Sequence, residues 1–109
     1  PEVKLGIVPG PIMVGLMRLA APRQALDLLL TGRSITAAEA LQMGLLNRVV
    51  PQAELASEAR NYARSIAAND AAALQHTKAL FQELAEMDED RALERARDVN
   101  LQTRPRPRA

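Results

Sequence analysis

Only Tyr62 and Phe81 are aromatic, so any core this chain builds must come from Leu, Ala, Ile, Val and Met. Such residues are plentiful, because apolar types fill 48% of the 109 positions. Alanine is abundant and has the highest helix propensity. It also buries little area, and each Å2 removed from water stabilises by only about 25 cal/mol. A chain of this length makes at most one domain and can bury roughly 60–65% of its unfolded surface. The expectation is a mainly helical fold with a modest core that gains from packing on partners.

Charge and composition exclude several function classes. Fourteen basic and 13 acidic residues leave a net charge of +1, which argues against a dedicated nucleic-acid or membrane-surface protein. The basic excess is local: Arg104, Arg106 and Arg108 alternate with prolines. The absence of cysteine excludes disulfides and thiolate metal sites and fits a reducing, cytoplasmic setting. No metal-ligand spacing is present, nor an apolar run of the roughly 18 residues a membrane helix needs, nor a signal-peptide pattern.

Proline, glycine and capping residues punctuate the chain. Residues 1–10 read as an extended segment or short strand ending at Pro9-Gly10. From Pro11, Ile12, Met13, Leu16, Met17 and Ala20 follow helical spacing, with Pro11 suited to a first turn. Pro22 opens a second helix that Thr31-Gly32 ends. Its Ala25, Leu26, Leu28, Leu29 and Leu30 lie nearly all round, which predicts heavy burial. Thr36-Ala37-Ala38-Glu39 is a capping-box sequence opening a third, short helix. Gly44 stops it, and residues 45–50 read as a short strand before Pro51. Residues 52–68 form an amphipathic helix with Leu55, Ala59, Tyr62, Ala63 and Ile66 on one face. Residues 71–87 form another, with Leu74, Thr77, Leu80, Phe81 and Leu84 as its stripe, and Asn69-Asp70 is the turn between them. Asp88 caps a last helix to about Thr103, with Ala92, Ala96 and Val99 as a weak inner stripe. Residues 104–109 cannot be helical and are expected to be disordered.

Four patterns, in order, carry a family resemblance: PEVKLGIVPG at 1–10, ALDLLLTGRSITAAEALQMGLLNRVVP at 25–51, ELASEARNYARSIAAND at 54–70, and a helix around Lys78. Together they resemble the enoyl-CoA hydratase/isomerase (crotonase) superfamily over residues 1 to about 87. The resemblance implies a fold that is mainly α with one or two short strands, an α+β remnant corresponding to the C-terminal helical region of a ClpP/crotonase-like fold. Residues 1–10 would be the end of the crotonase core and 11–103 the helical C-terminal region. The chain also begins at Pro1-Glu2 without an initiator methionine. The expectation is that it is the C-terminal piece of a larger enzyme.

The resemblance also implies chemistry. Members bind acyl-CoA thioesters and stabilise an enolate-like oxyanion with two backbone N–H groups. In hydratases a glutamate pair holds a water and shuttles its protons. Glu2 matches the second of these glutamates, which would exchange the proton at the α-carbon. The first glutamate and both oxyanion-hole segments would lie upstream, so the isolated chain is expected to be inactive. Pro9, Gly10 and Ile12 are candidate substrate-binding residues beside Glu2, and Lys78 is a candidate at the CoA entrance or else a solvated surface lysine. No metal or cofactor is implied, coenzyme A being part of the substrate. The parent would be a trimer or hexamer acting in fatty-acyl-CoA metabolism. The alternative is an inactive helical docking or oligomerisation module.

Two departures from the family pattern bear on the reaction. After Pro9-Gly10 many hydratases carry glycines and Thr-Gln-Arg-Leu; here Pro11 to Met17 is apolar and only Arg18-Leu19 matches. Such a wall beside Glu2 is either ordinary helix packing or a means of raising its carboxyl pKa by desolvation. At the other end, the Arg/Pro tail replaces the family's usual closing pattern, so no CoA contact is carried over there. His76, the sole histidine, lacks a catalytic or metal context and reads as a surface residue.

Overall fold

The computed structural model describes residues 1–104 and forms two compact units, Pro1–Glu54 and the residues from Leu55 onward. Length alone suggests a single domain, whereas the chain divides at the turn before its first long amphipathic helix.

In the first unit, a 3-10 turn over Glu2–Leu5 precedes α1 (Gly10–Leu19), α2 (Pro22–Thr31) and α3 (Ala37–Gln42), and a second 3-10 turn follows at Gln52–Glu54. Prolines in the first turns start α1 and α2, where a missing N–H costs nothing. Helices α1 and α2 pack on each other, and the first 3-10 turn packs on α2. Ala25 is 2% exposed and Ala20 9%; they are the fully buried hydrophobic residues among those described. The expected heavy burial of α2 is therefore not found: Leu28 and Leu29 are half-buried, and Leu26 and Leu30 are exposed. Among the described residues α2 packs chiefly on α1 and the 3-10 turn, which leaves part of its circumference exposed.

Neither expected strand forms among the described residues. Residues 2–5 instead make local turn bonds: the Lys4 N–H donates to the Pro1 carbonyl (3.0 Å) and the Ile7 N–H to the Glu2 carbonyl (3.0 Å). Gly6, at φ 73°, supplies the left-handed residue that closes this turn. The segment after α3 begins with a Schellman motif, in which the Leu45 N–H donates to the Ala40 carbonyl (2.9 Å) and the Gly44 N–H to the Leu41 carbonyl (3.1 Å). Residues 45–50 then run irregularly. A strand needs a neighbour to receive its ladder bonds, and the unit supplies none.

The second unit holds α4 (Leu55–Ala67), α5 (Ala71–Leu84) and α6 (Glu89–Thr103), with α5 and α6 packed on each other. Adjacent residues close one helix and open the next. The Asn69 amide donates to the Ser65 and Ile66 carbonyls (3.2 and 3.1 Å), while Asp70 Oδ1 accepts from the Ala73 N–H (2.8 Å). Asp88 caps α6 in the same way, accepting from the Arg91 N–H at 3.1 Å. Leu74, Leu80 and Leu84 of α5 are half-buried, as are Ala92, Ala96 and Val99 of α6. Phe81 departs from its expected stripe and is 78% exposed. No helix among the described residues is long and apolar enough to cross a membrane. The expected disorder of the Arg/Pro tail lies outside the described residues from 105 onward.

Candidate functional site

Glu2 sits on the first 3-10 turn, at the rim of a cavity of about 160 Å3. Pro9, at the start of α1, and Ile12 and Leu16 on that helix form one side; Leu28, Leu29 and Gly32 of α2 form another. Glu2 is the only ionisable side chain in this lining. The enclosure follows from the local sequence. Gly6 turns the chain back after Glu2, and Pro9 caps α1 so that its Ile12–Leu16 face looks toward α2.

The electrostatics run opposite to desolvation. The Glu2 carboxyl is held below the usual carboxylate range, first by its own backbone N–H and then by the Pro1 amine 3.1 Å away. Its side chain is 34% exposed, so burial opposes that shift only weakly. At neutral pH Glu2 is a carboxylate, able to accept a proton or hold a water.

Of the sequence candidates, Glu2, Pro9 and Ile12 share this cavity. Gly10 is the first residue of α1, outside the lining, with its N–H on the Val8 carbonyl at 2.9 Å. Lys78 is exposed on α5, in the second unit. His76, also exposed on α5, borders a shallow hollow with Thr77, Asn100 and Thr103. Among the described residues no group of His, Cys, Asp or Glu could hold a metal ion.

Sequence reasoning missed the α2 side of the cavity and the support behind it. Gly32 has φ 57°, and a Cβ placed there would lie 3.1 Å from Val3 Cγ1 and 3.3 Å from Pro1 Cα. The next residue, Arg33, spans two helices: Nε lies 3.2 Å from Asp27 Oδ2 on α2, and Nη1 lies 3.1 Å from Glu39 Oε1 on α3. The sequence held a signal for this, since acidic residues flank Arg33 six positions away on either side.

Comparison with known proteins supplies a family for this geometry. The family model described as enoyl-CoA hydratase/isomerase matches residues 1–106. A probable enoyl-CoA hydratase of Mycobacterium tuberculosis is 46% identical over 81 residues, covering 72% of this chain and 31% of that protein. The carnitinyl-CoA dehydratase of Escherichia coli is 36% identical over 107 residues, covering 96% of this chain and 41% of that protein. Among solved structures, an enoyl-CoA hydratase of Mycobacterium smegmatis superposes with a TM-score of 0.89 at 29% identity, over 97% of this chain and 41% of that one. This chain thus spans 31–41% of the length of these relatives, and its helices follow a crotonase-like fold without strands among the described residues. The chain belongs to the enoyl-CoA hydratase/isomerase family.

Proposed function

We propose that these residues form part of an acyl-CoA-processing lyase or isomerase in which Glu2 exchanges the proton at the substrate α-carbon. The observation that carries this is that Glu2 supplies the one ionisable side chain of a cavity lined mainly by apolar residues, in a chain matched to the hydratase/isomerase family over residues 1–106. Hydration of a 2-enoyl-CoA adds a water oxygen at C3 and a proton at C2. One carboxylate serves the proton, and a second group must hold the water. On this reading the second carboxylate and the oxyanion hole are supplied from elsewhere. Pro9 and Ile12 would line the acyl side, and Gly10 would act at the thioester end. The isolated 109 residues are inactive on this reading.

The test is crotonyl-CoA hydration by the 109-residue chain and by a longer polypeptide of hydratase length that contains it, each with and without Glu2→Gln. The longer protein should turn over and lose about 10²-fold or more on substitution. Turnover by the short chain that disappears in Glu2→Gln would overturn the view that groups from elsewhere are required.

A second reading has its own support. Leu26, Leu30, Leu55, Ile66 and Phe81 are exposed, and apolar surface of this kind marks interaction faces. A helical module that docks on its parent chain or assembles a homotrimer or hexamer would use them, in the cytoplasm. Light scattering showing a strict monomer at all concentrations would remove this reading.

A further inference from the structure

We propose that Arg33 is a positioning residue for Glu2, holding the Gly32 seat on which the Glu2 turn rests. The inference builds on the reading of Glu2 given above, but its test needs no turnover.

The 3-10 turn meets α2 at Gly32, where the approach is so close that no side chain fits without displacement: the added Cβ would stand 3.1 Å from Val3 Cγ1, next to Glu2, and 3.4 Å from Lys4 Cε. Gly32 ends α2 in the left-handed conformation, donating its N–H to the Leu28 carbonyl at 2.9 Å. The chain beyond it is irregular up to α3, so a helix ladder alone does not hold this point. Arg33 does. Its guanidinium reaches back to Asp27 and forward to Glu39, and its N–H donates to Thr31 Oγ1 at 3.4 Å. The Glu39 carboxylate is itself fixed, because its other oxygen accepts from the Thr36 N–H at 2.8 Å.

A planar guanidinium can span two carboxylates in fixed directions, which a lysine ammonium does less well. The pairs are half-exposed, and isolated pairs of that kind contribute little to stability. Geometry is a different matter. Two carboxylates tied to the Arg33 guanidinium and a hydroxyl tied to its backbone N–H restrict where the adjoining Gly32 backbone can sit, and Leu28, Leu29 and Gly32 line the cavity beside Glu2.

The experiment is NMR on the full 109-residue chain, comparing Arg33→Met and Arg33→Lys with the parent sequence. Two signals are read: the NOE between the Val3 methyls and Gly32 Hα, and the pH titration of the Glu2 side-chain carboxyl. The charged group facing that carboxyl is the Pro1 amine, common to all variants. In Arg33→Met the NOE should be lost and the Glu2 midpoint should rise toward the ordinary carboxylate value as its hold on its own N–H loosens. Arg33→Lys should restore part of both. Signals of the buried Ala20 and Ala25 methyls, where α1 meets α2, serve as the folding control, and if Arg33→Met unfolds the first unit, Asp27→Asn decides. An unchanged NOE and midpoint in a folded variant would overturn the proposal and leave Arg33 a surface ion-pair residue. Inactivity of every longer polypeptide would defeat the hydratase reading but leave these two signals to decide the placement of Glu2.

Discussion

Glu83 of α5 and Arg95 of α6 meet fork to fork across the hairpin of the second unit. Nε lies 2.6 Å from Oε1 and Nη2 lies 3.2 Å from Oε2. A bidentate guanidinium–carboxylate pair sets direction as well as attraction, and this one joins two helices of which α6 contributes mostly small side chains to the packing. Ala92, Ala96 and Val99 offer little area to specify how α6 sits on α5, so a polar pair does so from the edge.

The pair makes stability pH-dependent in a stated direction. The Arg95 guanidinium beside Glu83 holds its carboxyl below the usual carboxylate range. A depressed folded-state pKa means the unfolded chain binds the proton more readily. The stabilisation is therefore fully present above the ordinary glutamate value, about 4.3, and is lost as the pH falls through the lowered folded value. Thermal unfolding followed between neutral pH and pH 3 should show a steeper loss for the parent chain than for Glu83→Gln. Because both side chains are about 40% exposed, raising salt should shrink the difference. Equal slopes at low salt would mean the pair carries no linkage.

The capping box at α3 gives a sharper prediction. Thr36 Oγ1 accepts from the Glu39 N–H at 3.1 Å, and Glu39 Oε2 accepts from the Thr36 N–H at 2.8 Å. With only six residues, α3 has few internal bonds to fall back on. Thr36→Ala should cost about 1 kcal/mol and remove helical chemical shifts over residues 37–42, whereas Thr36→Ser should keep them. A folded α3 in Thr36→Ala would show that packing, not the cap, holds this helix.

That helix shows what could be read from the sequence and what could not. Helix ends were legible because their signals are local: Thr36 with Glu39, Asp70, Asp88, Gly32 and Gly44 each act within five residues of themselves. Strands at 1–10 and 45–50 were not, because a β-branched run becomes a strand only when another segment takes its ladder bonds. Burial was misjudged for the same reason. The periodicity of α2 is that of a helix enclosed on all sides, whereas among the described residues it packs chiefly on α1 and the Glu2 turn. At the site, the motif order pointed to Glu2, Pro9 and Ile12, which do share a cavity. The direction of the Glu2 shift was not readable, since the apolar residues after Pro9 gave no hint that its own N–H would hold the charge.

Glycines separate conformational cost from crowding. Gly6 (φ 73°) has nothing within 4 Å of an added Cβ, so Gly6→Ala should cost only the left-handed penalty, roughly 1–2 kcal/mol. Gly32→Ala carries the same penalty plus contacts at 3.1 and 3.3 Å, so it should cost clearly more and shift Val3 resonances. Gly15 lies inside α1 with open space around it, and Gly15→Ala should stabilise this chain by about 0.5–1 kcal/mol. Denaturant titration of the three variants orders them. Equal losses for Gly6→Ala and Gly32→Ala would mean the Glu2 turn does not rest on α2 in solution.

Phe81 tests whether the exposed apolar faces are real in solution. It shares α5 with Leu80 and Leu84, yet it is 78% exposed while they are half-buried. If the α5–α6 hairpin packs as described, Phe81→Ser should change stability by less than about 0.5 kcal/mol, as surface substitutions do. Leu84→Ala, truncating a half-buried side chain, should cost about 1 kcal/mol or more. The two differ in a second respect. An exposed phenyl ring favours association between chains, so Phe81→Ser should lower the apparent mass measured by light scattering at high concentration, while Leu84→Ala should not. A large loss of stability in Phe81→Ser, with no change in association, would place the ring inside a core and require α5 to be rotated about its axis.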